Sequence, residues 1–384
     1  MANTVAYGEG TIPPGIRSRF VDNSNGLTMH ILEAGFDEPG RPLVMLLHGF
    51  PELAYSWRKV MPALAAQGYH VVAPDQRGYG RTTGWTAEYD DDLSPFRMLN
   101  IVRDTVGLVA ALGYAEVRAL IGHDYGSPVT AWCTLVRPDI FRSCVLMSAP
   151  FGGPPALPVP GKEAGGGPDI HEAMAALDRP RKHYQWYYAT HPANNDMMNC
   201  PQGVHDFMRA YYHHKSADWA ENKPYPLKGW MAKELAKLPT YYVMDLDQNM
   251  AETVKPEMPS AAEIAACEWL PDEDLAVYSG EYGRISFKGG LQSYRVMTGG
   301  AFLPEMQLFA GRTIDVPSMF IAGTSDWGTY QKPGDFEKMQ GTACTNMVAC
   351  HLIDGAGHWV QQEQAGKVSE LLIDFISDAK AKAA

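Results

Sequence analysis

Residues 118–132 read Arg118-Ala-Leu-Ile-Gly122-His-Asp124-Tyr-Gly126-Ser-Pro-Val-Thr-Ala-Trp132. Positions 118–122 form a short apolar run of strand type, and Ser-Pro-Val-Thr-Ala-Trp opens a helical pattern. Between them, Gly122-His123-Asp124-Tyr125-Gly126 predicts a sharp turn whose glycines push one side chain, that of Asp124, out above the strand end. The flanking sequence repeats this strand-then-helix order. Leu43–Leu47, 70–73 and Cys144–Met147 are also short, apolar throughout and bounded by Gly, Pro or charge, as strands of a doubly covered parallel sheet are. The clearest helix is expected to start at Ser94-Pro95, a cap residue followed by proline in the first turn. It continues through Met98, Leu99, Ile101, Val102, Val106, Val109 and Leu112, and Gly113 ends it.

After residue 148 the pattern breaks. Residues 149 to about 170 (APFGGPPALPVPGKEAGGGP) read as a loop leaving the sheet, and 170–300 is helical and rich in aromatics. Strands return at 318–322 and 348–352, and a helix closes the chain. The expectation is an α/β fold, a mostly parallel sheet with helices on both faces. Residues 1–148 form its first part, 149–300 an inserted mainly helical lid and 301–384 its second part.

The 384 residues, 46% apolar and 20% charged, suit a soluble chain with a sizeable core. A formal charge of −12 without any basic run argues against nucleic acid and anionic membrane surfaces as partners. No apolar run approaches bilayer length, and MANTVAYGEGTIPPG lacks the cationic start and apolar core of a secretory signal. Six cysteines without a CxxC pair suit a reducing compartment. The expected setting is therefore the cytoplasm, as a monomer or a self-associating chain such as a homodimer.

The turn usually carries serine at its centre; here it is Asp124. A serine oxygen that attacks saturated carbon leaves an ether that water does not readily cleave. A carboxylate leaves an ester, which a base-activated water hydrolyses. His48-Gly49-Phe50-Pro51 follows the first apolar strand, where the Phe50 N–H joins that of Tyr125 as a two-donor oxyanion hole. Gly355-Ala356-Gly357-His358-Trp359 follows the last strand and supplies a general base, His358. Gly323-Thr324-Ser325-Asp326-Trp327 supplies a carboxylate, Asp326, to orient it. Asp354 is the rival acid, though its place in the turn of His358 suits a backbone cap.

The segments HGFPELAYSWR, DQRGYGRT, GHDYGS, AGTSDWG and GHWVQQE resemble, in order, those of the α/β-hydrolase-fold epoxide hydrolases, from about residue 25 to the C-terminus. The resemblance implies two lid tyrosines that hold the oxirane oxygen. His183-Tyr184-Gln185-Trp186-Tyr187 resembles the first tyrosine motif and Gly290-Leu291-Gln292-Ser293-Tyr294-Arg295 the second, which gives Tyr184 and Tyr294 those roles. It further implies an epoxide substrate, water as co-substrate, a vicinal diol product, and neither metal nor organic cofactor. His48, Pro51, Trp57, Gln185, Trp186, Trp327 and Trp359 are expected around the substrate. The aromatic, Met-rich lid suggests a small apolar or aryl-substituted epoxide.

Other tyrosines, including Tyr187, Tyr188, Tyr211, Tyr212, Tyr241 and Tyr242, are read as packing residues, and Tyr282 stays open. His213-His214-Lys215 is read as structural, because adjacent histidines on a helix point apart. His48 and His123 are read as ties between loops. Two features depart from the family pattern: Tyr125 stands where a tryptophan is usual, and the lid is longer, around 151–175 and 240–275. A dehalogenase with the same Asp124, His358 and Asp326 is the alternative enzyme, with Trp57, Trp186 and Trp327 as possible halide donors. An acyl hydrolase lacks its serine, and a ligand receptor on the same fold is the alternative of another class.

Overall fold

The computed structural model describes residue 7, residues 10–158 and residues 169–383. Most of the first nine residues and the glycine-rich half of the expected 149–170 loop, 159–168, lie outside them.

Strands β1 (Ile16–Asp22), β2 (Thr28–Ala34), β3 (Leu43–Leu47), β4 (His70–Pro74), β5 (Ala119–His123), β6 (Cys144–Met147), β9 (Ser318–Gly323) and β10 (Met347–Ile353) form one sheet in the order β1-β2-β4-β3-β5-β6-β9-β10. From β4 to β10 every pair is parallel; β1–β2 and β2–β4 are antiparallel. The apolar runs become strands because both faces are covered. Val44, Leu46, Ile121, Val145 and Ile321 point into one core, with Met61–Ala66 and Ala365–Ala383 over it. Leu43, Met45, Leu47, Leu120 and Phe320 point into the other, covered by Met98–Ala111 and Gly126–Val136. This is the architecture the runs imply. The antiparallel edge was not read from sequence, since β1 is half-exposed and its alternation includes Arg17, Ser18 and Arg19.

One helix start differs. Ser94–Phe96 is a separate 3-10 turn, Arg97 is extended, and the α-helix begins at Met98. Ser94 instead contributes its N–H to Asp92 Oδ1 at 2.9 Å, so local side-chain bonding takes the place of helix capping.

Between β6 and β9 the chain is mostly helical, with one short antiparallel pair, β7 (Arg181–His183) and β8 (Val243–Asp245). The connection from β3 runs to β4 on one side, while β5 lies on the other. The crevice outside the C-terminal ends of β3 and β5 is thus a topological switch point, where open α/β sheets bind ligands. Among the described residues no helix is long and apolar enough to cross a membrane.

Candidate active site

The crevice is built by close backbone approach. Asp124 follows β5 with φ 50°, a left-handed conformation that few residues other than glycine adopt. Its N–H donates to Met147 O at 3.1 Å, which ties the turn to β6. Gly126 lies against β3 so closely that a Cβ would collide with Leu47 O, and a Cβ at Gly49 would collide with the Asp124 side chain. These two glycines bring Phe50 within reach of the carboxylate.

The Phe50 N–H donates to Asp124 Oδ1 at 2.9 Å. Asp124 Oδ2 faces His358 Nε2 at 3.2 Å, and His358 Nδ1 faces Asp326 Oδ1 at 3.1 Å. Asp326 Oδ1 also accepts the Gly328 N–H at 2.7 Å. The rival Asp354 is exposed and takes no part. Burial raises the Asp124 carboxyl, but hydrogen bonding and charge from His358, helped by Lys215 and His123, hold it well below the usual carboxylate range. Asp326 is likewise held low, burial being outweighed by His358. The arrangement offers an anionic nucleophile, a donor on the oxygen that stays behind, and a base with its own carboxylate.

The lid faces this triplet with two phenols. Tyr184 opens the helix Tyr184–Tyr188, fixed by its N–H to Tyr242 O at 2.8 Å; Tyr294 lies on Lys288–Gly299. Their ring centroids are 5.9 Å apart and both line one cleft with Asp124, Tyr125 and Gln185. The cleft is narrow, with about 70 Å³ open to the centre of a water-sized molecule. Burial, with the Asp124 charge as a further cause, pushes both phenols well above the usual tyrosine range, so each keeps its proton. The Tyr184 hydroxyl donates to Gln331 Oε1 at 3.3 Å and accepts from Gln185 Nε2 at 3.2 Å.

Several residues expected at the substrate stand elsewhere. The His48 ring accepts the Gln76 N–H and lies edge-on to Tyr79, a loop tie. Pro51 offers its carbonyl to the Tyr212 hydroxyl, and Trp57 is sealed in the core. Trp186 packs on His171 and His183, Trp327 on Tyr225, and Trp359 stacks on Tyr212 at 4.2 Å. None of these rings lines the cleft; Trp57, Trp327 and Trp359 are buried and Trp186 is half-buried. Of that set Gln185 reaches the cleft, where Met297, Gln331 and Lys332 join it unforeseen. Tyr282, left open, donates to Glu52 O and stacks on Phe287, so it belongs to the core.

His123, read from the sequence as a tie between loops, has a partner the sequence reading did not single out, Glu52. Glu52 and His123 are both fully buried; His123 Nδ1 meets Glu52 Oε2 and Nε2 meets His358 O, each at 2.6 Å. Both ring nitrogens face acceptors, so His123 carries both protons as an imidazolium paired with Glu52. Burial opposes the charge, but Glu52 outweighs it and raises the His123 value. Glu52 also accepts the Gly49 N–H at 3.0 Å, which joins the Phe50 loop, the nucleophile turn and the base loop. Its signal lay within the quoted HGFPE segment.

Fold and site together define a hydrolase of the α/β type, and a family model described as alpha/beta hydrolase fold matches residues 42–365. The chain is 33% identical to epoxide hydrolase A of Mycobacterium tuberculosis, over 94% of this chain and 97% of that one. It is 30% identical to epoxide hydrolase B of the same organism, over 92% and 96%. An epoxide hydrolase structure from an endophytic Streptomyces superposes with a TM-score of 0.76 at 29% identity, covering 96% and 97% of the two chains. Potato (Solanum tuberosum) epoxide hydrolase I gives 0.72 at 26%, covering 94% and 99%. The chain belongs to the α/β-hydrolase-fold epoxide hydrolase family.

Proposed function

We propose that this protein hydrolyses epoxides to vicinal diols through a covalent ester on Asp124. The observation that carries the reading is one carboxylate met on three sides: by the Phe50 N–H, by His358, and across the cleft by Tyr184 and Tyr294. Asp124 Oδ2 attacks an oxirane carbon, the carbon–oxygen bond breaks, and the alkoxide takes a proton from one of the two phenols. A dehalogenase needs no proton transfer at this point, because halide leaves as an anion that N–H donors only have to hold; two buried, protonated phenols opposite the nucleophile favour oxygen as the leaving atom.

His358, oriented by Asp326, then takes a proton from water, and hydroxide adds to the ester carbon. Oδ1 becomes the tetrahedral oxyanion, held by the Phe50 N–H, with the Tyr125 N–H as second donor. Collapse releases the diol. The two protons of the water end on the departing oxygen and on the tyrosinate, so the site is restored. The apolar walls of the cleft and the Met297 side chain suit a small apolar or aryl-substituted epoxide.

The test is a single turnover of styrene oxide in H₂¹⁸O with excess enzyme, read by mass spectrometry of the diol and of the Asp124 peptide. The expected outcome is unlabelled diol from the first turnover, with ¹⁸O appearing in Asp124. Diol labelled directly from water would remove the ester. Halide release from a haloalkane or haloacid panel without any diol would move the assignment to the dehalogenase.

A further inference from the structure

The turn that carries His358 is held from three directions. From the core, His123 Nε2 and Ser148 Oγ donate to the His358 carbonyl at 2.6 and 3.2 Å. From the lid, the helix Gly203–Lys215 offers carbonyls of its last turn, which a helix leaves without internal partners. Lys215 O accepts the His358 N–H, and Tyr212 O the Trp359 indole N–H, both at 2.9 Å. The third direction is Glu363, on the short helix Val360–Glu363.

Glu363 Oε2 accepts the Gly357 N–H at 2.9 Å and the Ala217 N–H of the lid at 2.8 Å, while Oε1 accepts the Trp359 N–H at 2.9 Å. One side chain thus bonds the main chain on either side of His358 and the lid segment against it. Among the described residues Glu363 has no ion-pair partner, and it does not line the cleft. Its role is carried by those three N–H groups. Burial raises the Glu363 carboxyl to about 8, against the pull of the three N–H groups; its two oxygens serve three donors, whereas a glutamine in its place would turn an NH₂ toward at least one of them.

We propose that Glu363 is a positioning residue of the ester-hydrolysis step, its two carboxyl oxygens setting the backbone on both sides of His358 so that the imidazole reaches the attacking water. The proposal rests on the reading of His358 as the base. Ester formation uses the Asp124 anion and the phenols and asks nothing of His358 as a base; hydrolysis asks for its placement to within a fraction of an ångström. Loosening the turn therefore separates the two steps.

The experiment compares wild type with Glu363→Gln and Glu363→Asp in rapid-quench single turnovers of styrene oxide, with intact-mass detection of the ester. Glu363→Gln is expected to slow hydrolysis by about 10- to 100-fold, the scale of a misplaced catalytic group. Ester formation stays at the wild-type rate, so the ester accumulates. The aspartate, which keeps both acceptors on a shorter arm, restores part of the loss. Alongside, ¹⁵N spectra of the His358 ring are recorded without substrate, and its resonances are expected to move in Glu363→Gln. Equal slowing of both steps, no slowing, or unmoved His358 resonances would overturn the proposal. If wild type forms no ester from any epoxide, the functional reading fails by itself, and the ring spectra still decide whether Glu363 positions His358.

Discussion

The two sides of the cleft are built by different means. On the sheet side, Phe50, Asp124, Asp326 and His358 each stand just beyond the C-terminal end of a parallel strand. Their spacing follows from main-chain register: Leu47 pairs with Gly122, His123 with Met147, Met147 with Ile321, and Gly323 with Ile353. On the lid side, Tyr184 and Tyr294 come from separate helices, and ring packing aims them. Tyr294 sits 5.0 Å from Tyr188, 5.5 Å from Phe50 and 5.9 Å from Tyr184. Backbone hydrogen bonds fix the first set in position; in the second, the Tyr184 backbone is tied to Tyr242 O, but the direction of both rings is set by side-chain packing. On the proposed reading, the sheet side carries the covalent chemistry and the lid side, aimed by packing, sets how a given epoxide is held.

The largest expected effect is on the sheet side. Asp124→Ala removes the nucleophile and is expected to lower diol formation by at least about 10⁴-fold, with no ester in the mass spectrum. Retained turnover would place the nucleophile elsewhere. His358→Gln should leave ester formation intact and slow hydrolysis by about 10²- to 10⁴-fold, the usual contribution of a general base. Rapid-quench kinetics separates the two steps.

Tyr184→Phe and Tyr294→Phe are each expected to slow ester formation by about 100-fold, the lower end of what one donor to a developing oxyanion contributes. Their ratio should change from one epoxide to another, because packing aims them; identical losses on every substrate would contradict the contrast between the two regions.

A further expectation concerns pH. Asp124 is held below the ordinary aspartate range and stays anionic as pH falls; Tyr184 and Tyr294 are held above the ordinary tyrosine range and stay protonated as pH rises. Ester formation should then be flat from about pH 5 to about pH 9, inside the unperturbed values of roughly 3.9 and 10. A stopped-flow pH series that bends within that window would mean that one of these environments differs from the one described.

How much could be read beforehand follows the same division. The sheet-side residues were legible because each motif is local: an apolar run, a glycine turn and one polar side chain within a few positions. Tyr184 and Tyr294 became visible only through a family resemblance, since nothing in their own spacing distinguishes them from Tyr188 or Tyr242. The tryptophans misled for a related reason. Trp57, Trp186, Trp327 and Trp359 lie near motif residues in sequence, but bulk sends Trp57, Trp327 and Trp359 into the interior and lays half-buried Trp186 against His171 and His183. Glu52 was missed as the partner of His123 because a buried ion pair leaves no periodic trace in either segment. The smallest expected effect comes from another local misreading: Ser94→Ala, away from any helix cap, should change stability by no more than about 0.5 kcal/mol in a denaturant titration.

On the proposed reading, the meeting of the helix Gly203–Lys215 with the base turn also bears on how substrate would enter. If the lid lifted away as a unit, the carbonyls of Tyr212 and Lys215 would lose the Trp359 indole and the His358 N–H, and the Ala217 N–H would lose Glu363. Each stranded group costs about 1–3 kcal/mol when it stays buried. Opening by that hinge would also disarm the base. On the proposed reading, the expected route for substrate and diol is the cleft mouth beside Met297, Gln331 and Lys332, which side-chain rotation alone would widen.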